Sequence, residues 1–324
     1  MLKLLLLCIL SLAIVLVCPF MGIVPFHPVE VLSNEEAKFI FWSLRVPRTL
    51  AAFLAGGGLA VAGMIYQALF RNPLASPYTL GVSGGASLGA AICIALGLGG
   101  SLAGLSFVSI GAFAGALGAV LLVYGFAWSK ERNSATLLLA GVVVATVCSG
   151  LIMFIYYVSP LRHSFQIMQW IMGGLDGFNY RLLLTMAAPL ILFFGVVGLL
   201  LPQLDLFLTG EELAHSRGVN TVAGRNLFIV ITALAVGSIV AFCGPIGFVG
   251  IISPHICRLL MPGIRHRVLA ACSLLVGGAF LTISDMLARS IAPPAEIPVG
   301  IITALCGGPF FLFILFKRKS RLLL

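Results

Sequence analysis

The chain has 324 residues, of which 60% are hydrophobic and only 9% are charged. Soluble proteins carry roughly 25% charged residues, which cover their surface, so this composition excludes an ordinary water-soluble globule. The formal net charge of +9 is compatible with nucleic acid or anionic lipid, but the basic residues are scattered at the ends of apolar runs instead of forming a stripe with aromatics. We therefore expect a membrane protein with no nucleic acid partner.

Apolar segments follow one another along the whole chain, and most have the length of about 20 residues that a helix needs to cross a bilayer. They predict an all-α polytopic bundle of about ten transmembrane helices, forming a single transmembrane domain over residues 1–324. The predicted spans are Leu2–Phe20, Leu50–Phe70, Leu80–Leu98, Leu105–Trp128, Ala135–Val158, Leu182–Leu201, Leu227–Phe242, Gly247–Met261, Val268–Ala288 and Val299–Phe316.

The first segment has two interpretations. Lys3 followed by a long apolar stretch is compatible with a signal peptide, but the end of the segment, VLVCPF, lacks a small-x-small cleavage site. We interpret it as an uncleaved span.

Basic residues between the spans predict the orientation, because short cytoplasmic loops collect Lys and Arg. If the spans alternate, one side of the membrane receives Lys130, Arg132, Arg217, Arg225, Arg265, Arg267 and the basic tail Lys317–Arg321. Both termini are therefore expected in the cytoplasm.

Two stretches rich in Gly and Pro interrupt the apolar pattern at corresponding places in the two halves of the chain. They are Asn72–Gly85, after the second span, and Gly244–Pro254, after the seventh. The topology puts the first on the cytoplasmic side and the second on the outer side, as an inverted repeat would, and transporters use broken backbone along pathways and hinges. Ordinary loops with turn residues are the alternative.

Small residues indicate where helices pack closely. The run Gly56-Gly57-Gly58 and the pair Gly111 and Gly115, four residues apart, let two backbones approach, and such contact drives helix association in lipid. These glycines predict packing and not chemistry.

No cofactor or metal site is predicted in this chain. Each of the eight cysteines sits in an apolar run and none forms a CxxC pair, so we interpret them as buried apolar residues. The phosphate-binding pattern GxxxxGK[ST] does not occur, so any use of ATP requires a partner protein.

One pattern suggests an enzyme. Gly81–Gly85 matches GxSxG, which surrounds the nucleophile of serine hydrolases, and an intramembrane serine protease would use Ser83 with His255 as the base. The match lies in a stretch rich in Gly, Ser and Ala, where chance matches are common, and the residues before it do not resemble a strand. We therefore expect His255 to be structural or gating.

The segment Leu204–Val219 is the one long internal stretch with the character of a soluble helix. Thr209 can cap it, Glu211 and Glu212 suit its positive N-terminal end, and Gly218 can close it. Its apolar face suits a partner, although a solvated helix without one is the alternative.

The sequence resembles the permease subunits of bacterial ABC importers for ferric siderophores, haem and cobalamin. The resemblance covers nearly the whole chain. It depends on Leu44–Leu50 (LRVPRTL), Gln67–Ala75, Leu80–Ala86, Gln169–Gly174, Gly210–Val219, Gly247–Leu259 and Ala295–Gly300.

The resemblance implies functional residues at both faces of the membrane. On the outer side, Arg45, Arg48 and Arg289 would receive acidic residues of a substrate-binding protein, and all three lie there in the predicted topology, against the positive-inside trend. Snorkelling at the interface is the alternative for each.

On the cytoplasmic side, the resemblance implies a coupling helix to the ATPase, formed by Leu208, Gly210, Glu211, Glu212, Ala214, Arg217, Gly218 and Val219. The cytoplasmic gate would lie at Ser134 and Ala135, although relatives often have paired small hydroxyls there.

The implied partners are an ABC ATPase dimer that carries ATP and Mg, a periplasmic or lipid-anchored binding protein, and a second permease, either a copy of this chain or a relative. The implied activity is import of an iron(III)-siderophore across the bacterial inner membrane, with no catalytic residues in this subunit. Haem and cobalamin are the alternative cargoes.

Overall fold

The computed structural model describes residues 2–22, 27–102, 104–127, 134–209 and 221–322. Almost all of it is helical, apart from one two-residue antiparallel pair, β1 (Ser101–Leu102) and β2 (Leu105–Ser106). The helices are α1 (Leu2–Val17), α2 (Pro28–Ser33), α3 (Glu35–Phe39), α4 (Val46–Leu69), α5 (Val82–Ala95), α6 (Phe107–Ala127), α7 (Ser134–Val158), α8 (Leu161–Ile171), α9 (Tyr180–Thr209), α10 (Thr221–Cys243), α11 (Val249–Leu260), α12 (His266–Ser290) and α13 (Val299–Leu322).

The apolar helices match the predicted spans in number and order. Seven described helical stretches are long and apolar enough to cross a bilayer. Three shorter apolar helices complete the series, at Val82–Ala95, Val249–Leu260 and Val299–Phe313. The prediction of an all-α polytopic membrane bundle is therefore confirmed, while the inverted repeat stays a prediction.

The second span begins earlier than the sequence pattern suggested. Helical backbone runs from Glu35 to Leu69, and a π-helical turn at Ile40–Arg45 joins α3 to α4. Pro47 lies directly after this π-helical turn, as the second residue of α4, and the helical backbone continues through it. Arg45 and Arg48 therefore lie within the helical run and not in a loop before it.

Helix α4 is the centre of the bundle, and glycines set its distance from its neighbours. A Cβ atom at Gly56 of α4 would lie 2.3 Å from the carbonyl oxygen of Gly277 in α12. Helices α5 and α6 pack in the same way, since a Cβ at Gly115 of α6 would lie 2.1 Å from the carbonyl oxygen of Gly85 in α5. Since no side chain fits such gaps, the glycines permit backbone-to-backbone contact. The prediction of close packing at the Gly56 run and at Gly111 and Gly115 is confirmed.

The two interrupted stretches are in direct contact inside the bundle, and the side of the membrane from which each one enters stays a prediction. The hydroxyl of Tyr78 donates to the carbonyl of Ile246 at 2.6 Å and accepts from the Ile246 N–H at 2.9 Å. The breaks meet because α5 and α11 are both short, so each begins well inside the bundle. Tyr78 thus satisfies backbone groups that a continuous helix would have bonded itself.

Replacing Tyr78 by Phe is expected to destabilise the protein by about 1–3 kcal/mol, because the Ile246 N–H and carbonyl would stay buried without their partner. The measurement is the midpoint of thermal unfolding in detergent. Tyr66→Phe is the matched control, since Tyr66 is fully buried and its hydroxyl has no hydrogen-bond partner among the described residues. Equal losses from the two variants would contradict this role of Tyr78.

Candidate functional site

Two helix ends meet at one end of the bundle, which we call the arginine end. Arg48 lies in the first turn of α4, and Arg289 lies in the last turn of α12. The two helices run antiparallel, with Gly56 against Gly277, so the start of one meets the end of the other. Arg45 closes the π-helical turn just before α4. The fold therefore brings together the three arginines that the sequence indicated for docking.

Arg48 is surrounded by three carboxylates. Its Nε and Nη2 atoms lie 3.0 and 2.9 Å from Oδ1 of Asp285, which is 1% exposed. Its Nη1 donates to Glu296 at 2.7 Å, and Nη2 lies 3.1 Å from Asp176. The fork of the guanidinium suits such multiple contacts, and buried charges in proteins are normally paired in this way.

Arg289 and Arg45 complete the group, which we call the arginine cluster and define as Arg45, Arg48, Arg289, Asp176, Asp285 and Glu296. The Nε atom of Arg289 lies 3.1 Å from Oδ2 of Asp285, one helical turn earlier in α12. The Nη2 atom of Arg289 is buried without a hydrogen-bond partner among the described residues. Arg45 donates to the carbonyl oxygen of Pro19 at 3.2 Å and to that of Phe20 at 3.5 Å.

A cavity of about 280 Å³ opens beside the cluster. All three arginines line it, together with Glu296 and Gly177. Three cationic side chains therefore border a space large enough for an incoming side chain. The chemistry of this space suits an acidic group.

The two exposed carboxylates of the cluster have opposite pKa shifts. Burial raises the pKa of Asp176, and the hydrogen-bonded Glu296 adds to this against the attraction of Arg48. Burial, the largest single effect, would raise the pKa of Glu296 too, but the hydrogen bond and charge attraction of Arg48, together with the hydrogen bond to Asp176 and the charge of Arg289, hold the pKa below its usual range. Glu296 is thus the better-stabilised anion of the two.

The three acidic members of the cluster were missed by the sequence analysis. Asp285 carried a usable signal, because it lies four residues before Arg289 on an otherwise apolar helix, which is the spacing of a helical ion pair. Asp176 and Glu296 lie in connecting segments between helices, and nothing local to either segment pairs it with Arg48.

A second, larger cavity of about 670 Å³ lies next to the cluster, and Asp176 forms part of its wall. The polar residues of α8 contribute most of its hydrogen-bonding groups. They are Arg162, His163, Gln166 and Gln169. Asp176 therefore lies between Arg48 on one side and this polar cavity on the other.

The opposite end of the bundle carries a second polar contact. Asp205, near the end of α9, accepts from the backbone N–H of His266 at 3.2 Å, and its Oδ1 lies 2.5 Å from Nδ1 of the same residue. Asp205 thus caps the first turn of α12, the helix that carries Asp285 and Arg289 at its far end. Sequence analysis did not single out either residue.

The predicted coupling and gate residues lie mostly outside the described part of the chain. Gly210, Glu211, Glu212, Ala214, Arg217, Gly218 and Val219 lie outside it, and Leu208 is described only as part of the backbone of α9. Of the gate residues, Ser134 is the first residue of α7, with an undescribed side chain, and Ala135 is exposed. Their roles stay predictions.

The chain matches known transport proteins over almost all its length. The family model described as the FecCD transport family matches residues 4–317. A vitamin B12 import system permease protein, BtuC, of Yersinia enterocolitica is 39% identical over 289 residues, which cover 89% of this chain and 84% of that protein. A protein of the same name from Serratia proteamaculans is 38% identical over 290 residues, covering 89% and 85%.

Solved structures share the architecture. One, assigned as a metal-chelate type ABC transporter in an inward-facing conformation, superposes with a TM-score of 0.85 and is 31% identical, covering 97% of this chain and 98% of that one. PsaBC from Streptococcus pneumoniae in complex with Fab gives a TM-score of 0.56 at 16% identity, covering 87% and 94%, which shows a shared fold only.

Proposed function

Because the chain belongs to the FecCD transport family, and is a multi-pass permease subunit of an ABC importer and not an enzyme, we propose that it imports a metal chelate with a binding protein docked at its arginine end. The arginine cluster supports this proposal most directly. Its three arginines all line one cavity of about 280 Å³. The GxSxG match around Ser83 then forms the first turn of α5 and has no catalytic role.

The orientation follows from the same proposal. The arginine end faces the outside, where the binding protein delivers its cargo, and the Asp205–His266 contact lies at the cytoplasmic side with both termini. The segment that follows α9 would then be the coupling helix of the ATPase dimer, which holds ATP and Mg. Asp205 supports this, since it ties the end of α9 to α12 just before that segment.

The cargo is proposed as an iron(III)-siderophore, as the sequence resemblance implied. Cobalamin is the second candidate, because the curated relatives reported above are named vitamin B12 permeases. The test is to purify the tagged permease gently from its native cell with its binding protein and identify the bound chelate by mass spectrometry. Recovery of a ferric siderophore supports the first candidate, and recovery of a corrinoid replaces it with the second.

Replacing Arg45 by Glu tests the docking proposal. We expect the affinity for the binding protein to fall about 30-fold or more, because loss of a buried charge pair at an interface costs about 2–5 kcal/mol. Arg45 suits this test better than Arg48, since a Glu at position 48 would face Asp285, Asp176 and Glu296 and threaten the fold. Binding is measured with the detergent-purified permease and ATPase complex.

Lys38→Glu is the matched control for this variant. Lys38 lies in α3, in the same outer segment, is 54% exposed and pairs only with its helix neighbour Glu35 in the ion pairs described. It changes the net charge by the same amount, so it reports any general electrostatic effect. Undiminished binding by Arg45→Glu would overturn the docking site. Equal losses of affinity from both variants would mean that long-range electrostatic attraction drives binding, and not a specific contact at Arg45.

A further inference from the structure

The three carboxylates do not hold Arg48 equally. Asp285 is 1% exposed and contacts both Arg48 and Arg289. If it moved away, two buried cations would lose their shared counter-ion. Glu296 is 35% exposed and makes the shortest contact, at 2.7 Å. Asp176 is 58% exposed, and its 3.1 Å contact is to Nη2, the nitrogen that Asp285 already approaches at 2.9 Å. Asp176 is therefore the weakest ligand of Arg48.

The arginine cluster has no excess positive charge that could bind an incoming carboxylate. Its three arginines face three carboxylates, so a fourth carboxylate at the same cations would add an uncompensated negative charge. Such a charge is costly in a partly buried site, because water no longer screens it. An acidic side chain can join the cluster favourably only if a resident carboxylate withdraws.

Space and backbone geometry both favour withdrawal of Asp176. The 280 Å³ cavity beside Arg48 is lined by Gly177, the residue that follows Asp176. Gly177 has a φ of +71°, a backbone conformation that favours glycine, and a Cβ there would contact nothing within 4 Å. Open space next to Gly177 therefore lets the backbone beside Asp176 move away from Arg48 without a steric clash.

We propose that Asp176 is an exchangeable ligand of Arg48, and that a carboxylate of the docking binding protein takes its place. The proposal rests on the docking function assigned above to the arginine end. In the resting permease, Asp176 occupies the site that the partner carboxylate needs, so it lowers the affinity for the binding protein.

Release of Asp176 also carries the docking signal into the bundle. The segment from 172 to 179 that holds Asp176 is bonded to two helices, since Gly174 N–H donates to Cys243 at the end of α10 at 2.8 Å and Gly300 N–H donates to Gly173 at 3.4 Å. Gly174 and Asp176 both line the 670 Å³ polar cavity. A binding protein that draws Asp176 off Arg48 would therefore loosen the wall of that cavity at the moment of docking.

Asp176→Asn tests the exchange. We expect it to bind the binding protein about 5- to 10-fold more tightly than the wild-type permease and ATPase complex, because the competing charge is gone while the side-chain shape is kept. Glu36→Gln is the control, since Glu36 is exposed in α3, in the outer segment, and the change removes the same charge. It should change the affinity less than twofold.

The outcomes separate the exchange from the docking site itself. Weaker binding by Arg45→Glu with stronger binding by Asp176→Asn supports both. If Arg45→Glu weakens binding and Asp176→Asn leaves it unchanged or weaker, the exchange is overturned and the docking site stands. If Arg45→Glu binds as well as wild type, both are overturned. An equal gain from Glu36→Gln would also overturn the exchange.

Hydrogen exchange gives a second and independent readout. In the wild-type complex, addition of the binding protein should increase amide exchange in the peptide 172–179, and Asp176→Asn should show raised exchange before any addition. Protection of this peptide on docking, or no change, would overturn the release of Asp176.

Discussion

Replacing Asp285 by Ala is expected to remove most of the folded permease. Asp285 is 1% exposed and is the shared counter-ion of Arg48 and Arg289, whose side chains are only 13% and 6% exposed. Removing one partner of a buried ion pair costs about 3–5 kcal/mol, because the remaining charge stays buried without compensation. That loss is a large part of the stability of a typical protein, about 5–15 kcal/mol.

The measurement is the yield of monodisperse protein after size-exclusion chromatography, together with the thermal midpoint. Glu296→Gln is the control, since Glu296 pairs with the same Arg48 but is 35% exposed, and partly exposed pairs contribute about 1 kcal/mol or less. Adding Arg289→Leu to Asp285→Ala should restore part of the stability by removing one stranded cation. Wild-type yield from Asp285→Ala alone would contradict this account of the cluster.

The number and order of the helices could be predicted because a bilayer sets a strong local constraint. A spanning helix needs about 20 apolar residues, and this condition can be read from each segment without knowing its neighbours. The start of the second span was misplaced by some 15 residues because Glu35, Glu36 and Lys38 reduce the local hydropathy. Helical backbone nevertheless continues through them, from Glu35 to Leu69.

The candidate site could be predicted only in part. The arginines were found because they occur on the outer side in the predicted topology, in positions that the resemblance marks. Their carboxylate partners were not, because Asp176 and Asp285 reach Arg48 only through the close packing of α4, α12 and the segment before α9. Sequence spacing carries no information about such tertiary pairs, apart from the helical spacing of Asp285 and Arg289.

Helix α12 connects the two ends that the proposed function requires. Its first turn is capped by Asp205, next to the predicted coupling segment, and its last turn carries Arg289 in the arginine cluster. The helix has 25 residues with no proline inside, and Gly277 packs it directly on the backbone of α4. Because α12 is a stiff helix, a displacement at one of its ends also moves the other end.

Replacing Gly63 by Ala is the second change expected to prevent folding. A Cβ at Gly63 would lie 1.8 Å from the carbonyl oxygen of Gly250 in α11, which is backbone and cannot rotate away. The same carbonyl accepts Nε2 of Gln67 at 3.5 Å, and Arg258 of α11 donates to Oε1 of Gln67 at 2.5 Å. Separating α4 from α11 would break these bonds too, so we expect a loss of about 3 kcal/mol or more.

Gly198→Ala provides the opposite case in the same protein. Gly198 lies in α9, where an added Cβ would meet nothing within 4 Å, and Ala is more favourable than Gly in a helix by about 1 kcal/mol. Thermal unfolding in detergent should therefore show a higher midpoint for Gly198→Ala and little folded protein for Gly63→Ala. If both variants gain stability, helix propensity outweighs the close contact, and the packing of α4 against α11 does not depend on a bare backbone at Gly63.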